Sequence, residues 1–185
     1  MNPVPWYALY TKPRHEKKLA DLLNEKHIEA YVPVRRVLKQ WSDRKKMVDE
    51  PLIRSYCFVR ANPGWYYEAL NTPGAVRYVW FSGQAAPIPD WQIKVLRTLT
   101  GSDLDVECHT GLFQPVVMVK VIAGPLIGTV GEMISKAGKN RMLIRIDHLD
   151  SVVSVAISPF LLEKLPDRIK KIQEEEAKKK HKRFW

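Results

Sequence analysis

Residues that could do chemistry are sparse in this 185-residue chain, and those that gather are cationic or aromatic. The five histidines are scattered, and Cys108-His109 has no C-x-x-C or H-x-x-x-H spacing to hold a metal. No Gly-rich phosphate loop of the G-x-x-x-x-G-K-[ST] type occurs. Asp103, Asp105 and Glu107 could line one face of an extended segment, but no base or nucleophile converges on them. These absences point away from an enzyme and imply neither a metal nor another cofactor.

Binding chemistry is better represented. "PRHEKKLADLLNEKHI" (13–28) reads as a helix that opens with Arg14, His15, Lys17 and Lys18. Cations at a helix start oppose the macrodipole, so a phosphate-facing surface is one reading. A solvated face, with Glu16 offsetting part of the repulsion, is the other. Asn71 and Thr72 stand on the Pro-Gly corner of "LNTPG", where they could bond base edges or simply close a turn. Arg35, Arg36, Lys39, Arg44, Lys45 and Lys46 add to the same positive footprint.

Aromatic residues supply the other candidate surface. In "PLIRSYCFVR" (51–60), alternation sets Leu52, Tyr56 and Phe58 on one face, with Arg54 and Arg60, and Ile53, Ser55, Cys57 and Val59 on the other. "RSYCFVRA" matches an RNA-recognition strand at Arg54, Tyr56, Phe58 and Val59, and departs from it at Ser55, Cys57 and Ala61. Exposed Tyr56 and Phe58 would then stack bases. Alternatively the aromatic face docks a protein, with the small residues behind it packed under helices.

The elements that must hold these residues fall into two parts. "WYALYT" (6–11) is a strand, followed by the 13–28 helix with Leu19, Leu22 and Leu23 as its apolar stripe. Strands at 30–41 and 46–61, a short helix at 62–74, a strand at 75–81 and a helix at 89–101 complete a β-α-β-β-α-β order, the ferredoxin-like split pattern. The polar segment 103–113 reads as a linker. From 114 to 166, β-branched runs separated by turn clusters predict a small barrel. Within it, Gly124-Pro125 makes a turn, and Gly128 and Gly131 mark bulges or tight corners. The tail, 167–185, carries eight Lys/Arg and four Asp/Glu and is expected to be a charged helix.

A net charge of +10 favours a polyanionic partner. No apolar run of membrane-spanning length occurs, and the first residues lack a signal-peptide pattern. Two cysteines are too few for a disulfide framework, so reduced thiols in a cytoplasmic protein are expected.

"WYALYTKPRHEKK", "PLIRSYCFV", "NTPGAVRYV" and "VKVIAGPLIGTVGEM", in that order, resemble the NusG family of transcription elongation factors. The resemblance covers about residues 5–166 and implies an α+β fold, with an N-terminal NGN domain (1–102) and an SH3-like KOW barrel (114–166). It implies a monomer whose NGN domain binds the clamp helices of the RNA polymerase largest subunit through Tyr10, Tyr56, Phe58 and Phe81. Arg14, His15, Lys17, Asn71 and Thr72 would approach non-template DNA in the transcription bubble. Gly124, Pro125, Gly128 and Gly131 would be the KOW signature, and relatives use that barrel to contact a small-subunit ribosomal protein or Rho. Where the family commonly has a Phe-Pro-Gly-Tyr-like segment, this chain has Ile53, Arg54, Ser55 and Tyr56. That departure, the basic body and the charged tail resemble the specialised RfaH and UpxY-type branches, which implies operon-selective antitermination. An RNA-recognition or ribosome-associated KOW module is the competing expectation.

Overall fold

The computed structural model describes residues 4–110, 117–136, 139–149 and 151–166. The expected helix at 167–185 lies outside them, as do the end of the expected linker and the first residues of the expected barrel. The described residues divide into two compact units after Thr100, with Asp147–Leu149 grouped with the first.

The first unit runs β1 (Trp6–Thr11), α1 (Glu16–Glu25), β2 (Ala30–Tyr31), β3 (Val34–Gln40), β4 (Lys45–Pro51), β5 (Tyr56–Arg60), α2 (Tyr66–Leu70), β6 (Ala75–Tyr78), β7 (Trp80–Phe81), β8 (Gln84–Ala85), β9 (Pro87–Ile88) and α3 (Asp90–Thr100). Its main sheet has the order β2-β5-β1-β6, with β9 also pairing β1, and every pairing is antiparallel. This is the split β-α-β-β-α-β arrangement, with the β3–β4 hairpin set apart as a separate two-stranded sheet. On one face Leu9, Cys57, Val59 and Tyr78 pack against Leu19, Ala20 and Leu23 of α1.

Three expected boundaries move for a physical reason. Helix α1 begins at Glu16 rather than Pro13, because Arg14 takes a left-handed backbone (φ 65) that no α-helix accommodates. The expected strand 46–61 breaks between β4 and β5, where Ser55 is also left-handed (φ 62). The break resets the two-residue alternation, so Leu52 and Ile53 are both buried. The expected strand 75–81 divides into β6, in the main sheet, and β7, which pairs only with β8.

The second unit contains β10 (Val106–Thr110), β11 (Val117–Val121), β12 (Val130–Lys136), β13 (Lys139–Arg145), β14 (Ser151–Ala156) and β15 (Leu162–Lys164). They pair antiparallel in the order β10-β14-β13-β12-β11-β15. Among the described residues no pairing joins the two edges. Ile134, Leu143 and Val152 form one apolar cluster in it. Strand β10 falls inside the expected linker: it lies along β14 from Val106↔Val155 to Thr110↔Ser151. Arg141, 4% exposed, draws it in. Its guanidinium donates to the Asp105 carboxylate (2.8 Å) and carbonyl (3.0 Å) and to Ser154 Oγ (3.0 Å).

Candidate functional site

The second face of the main sheet carries the aromatic residues. Register sets Trp6 opposite Arg60, Ala8 opposite Phe58 and Tyr10 opposite Tyr56. One end of this face is closed by α3. Tyr31 stacks on Phe58 (6.5 Å between centroids), and its hydroxyl meets Thr100 Oγ1 of α3 at 3.0 Å. Arg97, also on α3, lies over both Trp6 (5.5 Å) and Tyr31 (5.2 Å). Arg60 covers Trp6 from β5 and pairs with Glu29 and Asp90. Trp6 and Phe58 are both buried beneath these contacts, so this end is a core rather than a pocket.

Phe58 is therefore fully buried, and its expected place on an exposed docking face is corrected. Alternation located the face correctly, but it cannot reveal that a helix from thirty residues downstream covers half of it. Tyr10 and Tyr56 remain at the open end, edge to face at 5.4 Å, with Tyr10 37% exposed. Arg77 on β6, opposite Tyr10 in register, places its guanidinium 5.7 Å above the Tyr10 ring. Sequence reasoning missed Arg77; its position in "AVRYV" on the neighbouring strand is the signal that could have found it. Phe81 sits half-buried in the β7–β8 ribbon, off the main sheet.

The polar candidates meet in part. His15 holds the N-cap position of α1 without a side-chain cap, and its Nδ1–H donates to the Pro13 carbonyl at 3.0 Å. The lead-in to α1 touches the "NTPG" corner. Lys12 N donates to the Gly74 carbonyl (2.9 Å), and a Cβ on Gly74 would meet His15 Cβ at 3.2 Å. With φ at +104 as well, this corner favours glycine twice over. Asn71 is exposed beside it.

Thr72 does not face outward. It is 2% exposed, donates Oγ1–H to the Glu68 carbonyl (2.9 Å) and accepts from Lys26 Nζ (3.2 Å), so it closes α2 instead of meeting a base. Lys17 Nζ donates to the Asp49 carbonyl at 3.1 Å and ties α1 to the hairpin.

In the second unit Gly124 and Gly128 adopt positive φ (86 and 84) in the β11–β12 turn, with Gly128 N donating to Val121 O at 2.8 Å. Gly131 differs: a Cβ there would lie 2.5 Å from the Leu143 carbonyl, so β12 and β13 require its absence. Among the described residues, no group of three His, Cys, Asp or Glu side chains is arranged to hold a metal. No helix among them is long and apolar enough to cross a membrane.

Residues 4–97 match the sequence profile of the NusG family, described as transcription termination factor nusG. The chain belongs to the NusG family. Its members are transcription factors of termination and elongation. No curated protein matches this NusG-family sequence. NusG from Thermotoga maritima, solved to describe its domain interaction, superposes with a TM-score of 0.55 at 21% identity, over 88% of this chain and 97% of that one. That similarity concerns the fold. Two conformations of the MjSpt4:Spt5 complex align at 13% and 15% identity, with TM-scores of 0.30 and 0.31, and carry no argument. They cover 86% of this chain and 97% and 96% of theirs.

Proposed function

We propose that this NusG-family chain is an operon-selective elongation and antitermination factor of the RfaH/UpxY type, which binds RNA polymerase and suppresses pausing. The observation that carries the reading is the Tyr10–Tyr56 edge pair, left open where α3 stops covering the aromatic face. A part-exposed, pre-packed aromatic pair beside a cation is the composition of a protein-docking hot spot. Its partner in this reading is the clamp-helix pair of the largest polymerase subunit. Arg77 borders the patch, Phe81 flanks it on the β7–β8 ribbon, and Phe58 supports it from below.

Arg14, His15 and Asn71, on the edge where α1's lead-in meets Gly74, would approach non-template DNA. Lys17 would contribute charge there while anchoring the hairpin. The second unit is read as the KOW barrel, with Gly124, Pro125, Gly128 and Gly131 as its signature, free to recruit a small-subunit ribosomal protein or Rho. The protein acts as a cytoplasmic monomer and catalyses nothing. The RNA-recognition reading is not carried forward, because it needs Phe58 exposed for stacking and Phe58 is buried.

Polymerase pull-down by the full chain tests the docking claim. Tyr10→Ala/Tyr56→Ala should weaken capture roughly tenfold or more, the scale of losing hot-spot aromatics, and should abolish pause suppression in single-round transcription. Unchanged capture by the double variant would refute the docking surface.

A further inference from the structure

We propose that Arg14 and Arg54 form a phosphate clamp across a cleft at the base of the β3–β4 hairpin. The cleft, of about 460 Å³, lies between the lead-in to α1, one side of the hairpin and the turn that precedes β5. Arg14, Lys17, Lys39 and Arg54 line it, against two carboxylates, Glu16 and Glu50. Only one carboxylate has its charge offset by a cation, so Arg14, Lys17 and Arg54 face Glu16 alone. Glu50 is ion-paired with Lys39, and Glu16 Oε1 accepts the Ser55 N–H at 2.8 Å. Among the described residues Lys17 Nζ bonds a neutral carbonyl and no carboxylate.

Arg14 and Arg54 are exposed, and among the described residues neither makes an ion pair or a hydrogen bond. Arg54 acts on Glu50 only through space, as one of the weaker influences that hold that carboxyl below its usual pKa, after the Lys39 hydrogen bond. The backbone keeps both arginines at the cleft. Arg14 is itself left-handed, and Arg54 precedes the left-handed Ser55, whose carbonyl accepts Thr11 N–H at 2.9 Å. Two exposed guanidinium groups lining one cleft call for an anion with several oxygens. Phosphate fits that demand, since guanidinium forks pair with it bidentately. The cleft is of the size that admits a phosphate together with an attached sugar.

This clamp extends the nucleic-acid half of the function proposed above to Arg54, and it does not depend on polymerase docking. The phosphate can belong to a nucleic-acid backbone or to a small phosphorylated molecule, and the chemistry at the clamp is the same. The test compares the wild-type full chain with Arg14→Gln/Arg54→Gln, using pyrophosphate and a labelled single-stranded oligonucleotide as separate probes. Both side chains are exposed, so the fold is retained, which circular dichroism checks.

The double variant should bind pyrophosphate at least roughly tenfold more weakly. If the source is a backbone, oligonucleotide affinity falls with it and the salt slope drops by about two. If the source is a small molecule, only pyrophosphate binding falls. Wild-type binding of both probes no tighter than the variant's would overturn the clamp. Tyr10→Ala/Tyr56→Ala leaves the cleft intact, so pyrophosphate binding by that chain reports on the clamp even where docking fails.

Discussion

Glu16 shows how much one residue can fix. It is 5% exposed in the first turn of α1, where its charge suits the helix dipole, and it reaches across to cap Ser55 N–H. That bond holds the left-handed Ser55 and hence the break between β4 and β5. Glu16→Ala should cost about 2 kcal/mol, the range for a hydrogen bond to a charged group, seen as a lower urea midpoint with unchanged slope. A midpoint equal to wild type would show that Ser55 holds its conformation unaided. Sequence alone casts Glu16 as a partial offset to neighbouring cations, because its real partner is thirty-nine residues away. The same blindness applied to Phe58: its face was legible, its cover was not. Tyr10 was indicated by the family resemblance alone, and its pairing across the sheet with Tyr56 comes from the strand register.

Among the elements, those with strong apolar periodicity came closest to expectation. Leu19 and Leu23 are buried on α1 as their spacing requires, and Ile93, Leu96 and Leu99 do the same on α3. The segment "VECHT" fails that test and reads as linker, yet it forms β10. Its pairing is specified by polar contacts: Arg141 with Asp105, and His109 Nε2 with Ser154 Oγ at 2.9 Å. Arg141→Ala should therefore destabilise the second unit by about 1.5–3 kcal/mol, the range for hydrogen bonds from a charged donor, since the Asp105 carboxylate left behind is solvated. Hydrogen exchange should show β10 amides losing protection before those of β12 and β13. Protection of β10 equal to wild type would mean that its backbone pairing with β14 suffices without the guanidinium.

For the molecule as a whole, alkaline pH is the informative variable. Burial pushes the Cys57 thiol up to about 12 from the usual 9.0, and burial also raises Tyr78 and Tyr31. Between pH 9 and 12 the unfolded chain gives up the Cys57 proton while the folded chain keeps it. The unfolded state then binds fewer protons, so stability falls as pH rises, by about 1.4 kcal/mol per pH unit from this thiol. Urea unfolding should be flat near neutrality and weaken above pH 9, and Cys57→Ala should show a shallower decline. Equal slopes in the two proteins would remove Cys57 as the cause. Family membership was legible from "WYALYT" and "NTPGAVRYV" because both segments form the framework of the first unit: β1 at its centre and the Gly74 corner leading into β6.

The left-handed turn at Ser55 also decides what can vary in descent. Because the alternation restarts there, residues added or lost in the β3–β4 arm do not change which side chains of β5 point inward. Each residue pair gained at the Ser42-Asp43 tip would lengthen the arm by about 3.4 Å, at the usual strand rise, without disturbing Cys57, Phe58 or Val59. The arm can therefore be resized by insertion and deletion while the frame that holds Tyr56 stays constant.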